Sequence, residues 1–157
     1  ENVSIFLSKK GVFTIEERLK GFLKGCELLN IKTRKEWICE DIYPHEKAFD
    51  ILKNLKEKSH LPTAIIATNN NITKNIVSSS RKLNIKIPDE LSLIGFDDTP
   101  ENELIAPPLT TIKQPILEIG KIAATALLSR IEDRFAKPMR VVLKTELITR
   151  GSVRNLK

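Results

Sequence analysis

Two adjacent aspartates, Asp97 and Asp98, close the stretch "LSLIGFDD" at residues 91–98. A carboxylate at the end of a buried apolar run has to be paired or hydrogen-bonded. Successive side chains of extended backbone point to opposite sides, so the two cannot work on one substrate as a general acid and base. One aspartate is expected to face a cleft and the other to hold its loop. Arg18, Tyr43 and Asn69 occupy comparable places after other apolar runs. A carboxylate accepts hydroxyl hydrogen bonds, a guanidinium donates several, and an asparagine amide does both. An aromatic ring covers the apolar face of a sugar or stacks on a base. Converging on one cleft, these residues suit a polyhydroxylated ligand. Each has a plainer reading. Arg18 can be a helix-surface arginine, Tyr43 a loop residue packing on a helix start, and Asn69 a turn residue tolerant of left-handed backbone. Asp98, with Thr99 to Glu101, can start a turn or cap a short helix.

The elements that would position these groups follow from hydrophobic period. Val3 to Leu7 reads as a short buried strand. Thr14 and Glu17 form a capping-box pattern, opening a helix from Ile15 to about Leu29 with Leu19, Phe22, Leu23, Cys26 and Leu29 at helical spacing. Glu36 to Cys39 reads as a second strand. Pro44 suits the first turn of a second helix, which ends near Ser59. Pro62 to Thr68 is a third strand, apolar through its middle as a sheet buried on both faces requires. Asn69 to Asn71 is a turn, Ile72 to Leu83 a helix, and Ser92 to Phe96 a fourth strand. This alternation predicts an α/β fold with a parallel sheet covered by helices on both faces. Ala106 to Pro115 holds three prolines and reads as an extended crossing without strand or helix period. A helix from Ile116 to about Phe135 and a strand from Arg140 to Ile148 follow.

In an open parallel sheet, ligands bind outside the carboxyl ends of the strands. That rule collects Ser8, Phe13, Thr14 and Arg18 after the first strand and Asp41, Ile42 and Tyr43 after the second. It adds Thr68, Asn69 and Asn70 after the third, and Asp97 and Asp98 after the fourth. Other chemistries find no support. There is no G-x-S-x-G elbow, no P-loop lysine and no G-x-G-x-x-G loop, so the chain is not expected to be an enzyme. Cys26 and Cys39 form neither a C-x-x-C pair nor a disulfide framework, and read as thiols of a reducing compartment. His45 and His60 lack metal-site spacing, so no metal and no cofactor are expected. The net charge is +6, but Lys and Arg are interleaved with Asp and Glu, which favours solvated helix faces over a phosphate-binding stripe. No apolar run approaches the roughly 20 residues that span a bilayer.

"IPDELSLIGFDD" followed by "PPLTTIKQP" closely resembles the signature of the LacI/GalR family of transcription repressors. "TIEERLKGF", "TAIIATNN" and the closing "ELITRGS" resemble further family markers, so the similarity spans essentially the whole chain. The resemblance implies a type I periplasmic-binding-protein-like effector domain, two α/β lobes with a small ligand between them. Residues 1–110 would be mostly the carboxyl-terminal lobe, 114–138 a segment of the amino-terminal lobe, and 140–157 the returning strand and tail. Arg18 would clamp the ligand, with Thr14 one turn earlier, Tyr43 near an aromatic wall, Asn69 in the family's Asn-Asp pair, Asp97 as ligand aspartate and Gln114 at the lobe crossing. The usual acid after Asn69 is here Asn70. The resemblance further implies a cytoplasmic homodimer, paired through Ile72 to Leu83 and Leu104 to Pro107, that senses a sugar-like effector. Operator DNA would be bound through a headpiece, and no helix-turn-helix segment stands in this sequence, which reads as a truncated chain. A sugar-binding protein of a transport system is the competing reading.

Overall fold

The computed structural model describes residues 2–42, 46–135 and 137–155. Its elements run β1 (Val3–Phe6), α1 (Phe13–Leu28), a 3-10 turn (Lys35–Trp37), β2 (Ile38–Cys39), α2 (Glu46–Glu57), β3 (Ala64–Ala67) and α3 (Asn70–Lys82). Then come β4 (Ser92–Phe96), α4 (Glu101–Leu104), β5 (Thr110–Lys113), α5 (Ile116–Glu132) and β6 (Glu146–Ile148). One six-stranded sheet forms in the order β2-β1-β3-β4-β5-β6. All neighbours are parallel except β6, which returns antiparallel to β5 with Ile112 opposite Leu147.

Period-two alternation distributes the strand residues to two cores. Phe6, Ile65, Ala67 and Leu93 face α2 and α3, where they meet Leu52, Ile72 and Ile76 in the larger core. Ile5, Leu7 and the half-buried Ile66 face α1 and meet Ile15, Phe22 and Cys26. Gly95 is required where α3 crosses β4. A Cβ there would stand 2.9 Å from Thr73 Cγ2 and 3.3 Å from Thr111 Cγ2, tighter than packed carbon atoms tolerate. Trp37 is fully buried, and its indole N–H donates to the His60 carbonyl at 3.0 Å.

Several boundaries depart from the sequence expectation. Thr14 does not cap α1. The helix begins one residue earlier at Phe13, Val12 holds the cap position without a side-chain bond, and Glu17 pairs with Lys20 at 2.7 Å. Glu36 and Trp37 turn as a 3-10 segment, because burying the indole takes precedence over extending β2. The crossing at 106–115 contains β5, whose Thr110 and Thr111 are buried; flanking prolines and hydroxyls conceal a strand that pairs centrally. Only Glu146–Ile148 of the expected last strand is paired. α5 forms as expected but buries no residue, leaving Leu117, Leu127, Leu128 and Ile131 exposed.

Candidate ligand site

Five parallel strands deliver their carboxyl ends to one edge of the sheet, and the polar groups of the sequence reading collect there. β3 ends at Ala67, and Thr68 then turns inward with its hydroxyl donating to the Phe6 carbonyl of β1 at 3.0 Å. Asn69 caps α3. Its Oδ1 accepts the Ile72 N–H at 2.8 Å, and its carbonyl accepts the Thr73 hydroxyl at 2.8 Å. This satisfies one of the donors that a helix start leaves unpaired. The cap of α3 is therefore Asn69, and Asn70 is the first residue of the helix. Asn70 Oδ1 is itself buried without a hydrogen-bond partner. That leaves Asn69 half-buried at the edge, with its amide nitrogen as the group not used by the cap.

Arg18 reaches this edge from the second turn of α1. Its guanidinium donates to the Thr68 carbonyl and lies over the Phe96 ring, 3.6 Å from the centroid. A guanidinium stacked on a ring is fixed in plane and keeps further N–H groups for a second partner. Burial pushes Arg18 below its usual pKa, and the neighbouring Asp97 acts in the opposite sense. Arginine stays charged in either case. Thr14 is exposed one turn earlier on α1.

Asp97 follows β4 directly, in left-handed backbone with φ +73°. Its N–H donates to the Ile112 carbonyl at 3.0 Å, and its carbonyl accepts from Asn102 Nδ2 at 3.2 Å. Gln114, the residue after β5, donates through Nε2 to Asp97 Oδ1 at 2.6 Å. The structure thus brings Arg18, Asn69, Asp97 and Gln114 to one edge from four different elements. Tyr43 lies outside the described residues.

Asp98 turns away from this edge. Its carboxylate meets Arg150 Nη1 at 2.8 Å and accepts the Thr111 hydroxyl at 2.6 Å. The Arg150 pair, first among the causes, holds the Asp98 carboxyl down to about 2. The cap of α4 is Pro100, without a side-chain bond, so Asp98 holds its loop through an ion pair rather than as a helix cap. Two contributors escape the sequence reading. Phe96 is visible only once strand alternation places even positions of β4 on the α1 face. Arg150, at the end of "LITR", carries no periodic signal at all.

The polar edge opens onto an apolar recess of about 450 Å³ between α1 and the sheet, lined by Phe22, Cys26, Ile66, Phe96 and Ile112 with Arg18 at its rim. Chemically, the edge offers one fixed cation, one carboxylate and two amides, which can grip hydroxyl or ring-nitrogen groups. Among the described residues no cluster of three or more His, Cys, Asp or Glu could hold a metal ion.

Comparison with known proteins agrees with this architecture. The family model described as periplasmic binding protein-like domain matches residues 3–153. The HTH-type transcriptional repressor PurR of Actinobacillus pleuropneumoniae serotype 3 is 36% identical over 143 residues, covering 90% of this chain and 43% of that protein. PurR of Haemophilus influenzae is 28% identical over 159 residues, covering 99% and 47%. The chain spans less than half the length of these relatives. Among solved structures, a putative transcriptional regulator LacI from Bacillus cereus subsp. cytotoxis superposes with TM-score 0.90 at 23% identity, covering 99% of this chain and 55% of that one. The transcriptional regulator CelR in its cellobiose complex superposes with TM-score 0.86 at 21% identity, covering 96% and 46%. The chain belongs to the periplasmic binding protein-like domain family, and its homologues are PurR/LacI-type transcriptional repressors.

Proposed function

We propose that this chain is the ligand-sensing part of a LacI-type transcriptional regulator, and that a small sugar-like effector binds at the carboxyl edge of the sheet. The observation that carries this reading is the contact of Gln114 with Asp97. Gln114 opens the segment leading to α5, so the ligand carboxylate is already linked to the chain that leaves the sheet. Arg18 donates to the ligand, Asp97 accepts from it, and Asn69 and Gln114 add amide contacts. Thr14, one turn before Arg18 on α1, completes the wall. The unburied apolar residues of α5 support the assignment of 114–138 to a second lobe, with 1–110 and 140–157 building the first. The CelR structure is a cellobiose complex, which supports a sugar-like effector here.

Binding between lobes shifts an open–closed equilibrium only through different affinity for the two states. In a homodimer, that shift changes how two headpieces are presented to half-sites of fixed spacing. The repressor relatives favour this over a transport role. Among the described residues no helix is long and apolar enough to cross a membrane, and a cytoplasmic location follows from the regulator reading. The reading is not enzymatic, in keeping with those relatives. Selection of duplexes from a random DNA library by the intact protein tests it. Enrichment of a paired half-site, with affinity altered by one of a panel of sugars and nucleobases, is expected. No enrichment under any of these ligands would contradict it.

A further inference from the structure

The Arg150 side chain is 13% exposed and makes five polar contacts. Nη1 reaches Asp98 Oδ1 at 2.8 Å, the Leu109 carbonyl at 2.8 Å and Thr111 Oγ1 at 3.2 Å. Nη2 reaches Asp98 Oδ2 at 3.2 Å and Glu103 Oε1 at 3.1 Å. The backbone of Arg150 is tied as well, its N–H donating to Thr110 Oγ1 at 2.9 Å. One guanidinium therefore joins the loop after β4, the strand β5 and the segment that returns after β6. Its fork engages both oxygens of Asp98, a geometry that fixes direction as well as distance.

Asp97 needs such a support. Left-handed backbone at a residue with a side chain is sparsely populated and persists where surroundings over-determine it. The Asp97 N–H and carbonyl bonds hold it from one side, and the immobilised Asp98 holds it from the other. The pair also solves an electrostatic problem. Two adjacent carboxylates at a strand end repel each other, and pairing Asp98 with Arg150 leaves Asp97 as the carboxylate beside Arg18 at the ligand edge.

We propose that Arg150 is a positioning residue for Asp97, which through Asp98 pins the left-handed turn and couples it to the returning segment after β6. The consequence for sensing rests on the reading of Asp97 as the ligand carboxylate. Displacement of the segment bearing Arg150 then changes how Asp97 is presented, so ligand grip and lobe position depend on one another.

The test uses the unliganded protein and NMR, with Arg150→Gln and Asp98→Asn as variants and Asp97→Asn as reference. Gln114 Nε2 contacts Asp97 three residues beyond Thr111, the last β5 residue that the Arg150 guanidinium contacts, so its side-chain amide resonance reports where Asp97 sits. Both variants are expected to move that resonance toward its position in Asp97→Asn. The Asp97 amide should lose about tenfold more protection than Ile5 and Ile66, whose amides report global stability. An arginine that only stabilised the fold would lower protection throughout and leave the Gln114 signal in place. That result, or unchanged Gln114 and Asp97 signals in both variants, overturns the proposal. If Arg150→Gln does not fold, Asp98→Asn decides alone. Because no ligand is used, the outcome is independent of whether the cleft reading stands, which a titration of Asp97→Asn decides.

Discussion

Removing the charge of Asp98 should change how stability depends on pH, and the structure sets the size. Arg150, then the Thr111 hydroxyl, hold the Asp98 carboxyl at about 2, against an ordinary value of 3.8. The folded protein therefore keeps Asp98 ionised at pH values where the unfolded chain has taken up a proton. Stability from this pair is fully present above pH 4 and is lost as pH falls toward 2. Each pKa unit is worth about 1.4 kcal/mol, so the contribution at neutral pH is at most about 2.5 kcal/mol. Asp98 and Arg150 side chains are only 14% and 13% exposed, but the Glu103 end of the network is 69% exposed. Solvent screening there brings the figure to about 1–2 kcal/mol. Between pH 6 and pH 3, about 1 kcal/mol of it should disappear. Urea unfolding of the parent and of Asp98→Asn at both pH values isolates this term, since every other carboxylate is common to the two. The parent should lose about 1 kcal/mol more than the variant. Parallel losses in both proteins would show that the Arg150 pair does not hold Asp98 ionised, and the reasoning would fail.

Two further perturbations follow from packing and capping. Gly95→Ala drives a methyl into Thr73, whose hydroxyl is anchored on the Asn69 carbonyl at 2.8 Å and cannot swing away; the expected loss is about 1–3 kcal/mol by urea unfolding, and a loss within experimental error would refute the close approach of α3. Asn69→Ala removes the α3 cap and should cost about 1 kcal/mol of stability, while Asn69→Asp keeps the cap and should cost little; equal losses in thermal unfolding would contradict the capping role.

Most of the sheet was legible because parallel strands buried on both faces write themselves as short apolar runs, and four of them stand clear in this sequence. Where packing overrode local pattern, the reading failed. Trp37 belongs to the core, so the segment before Cys39 coils to bury it rather than extending. Thr110 and Thr111 look like loop residues beside Pro107 and Pro108, yet they form a paired strand because their hydroxyls are used: Thr110 Oγ1 by the Arg150 N–H and Thr111 Oγ1 by Asp98. Thr14 and Glu17 have the right spacing for a capping box, but the helix starts two residues too early to use it. For the site, the position rule for parallel sheets found Arg18, Asn69 and Asp97, since a carboxyl end is a place in the sequence. Gln114 came from the family resemblance, and the structure brings it to Asp97. Phe96 and Arg150 were not legible, because a ring seat and a long-range ion pair are set by which elements lie side by side.

The most direct test of the account is calorimetric titration of the intact protein with a panel of mono- and disaccharides, cellobiose included, and nucleobases. The parent should bind one of them saturably. Arg18→Ala and Asp97→Ala should each weaken that ligand by about 10- to 150-fold, the range for losing a hydrogen bond to a charged group. A ligand that binds the parent and both variants equally would place the effector elsewhere and contradict the cleft built here from Arg18, Asn69, Asp97 and Gln114.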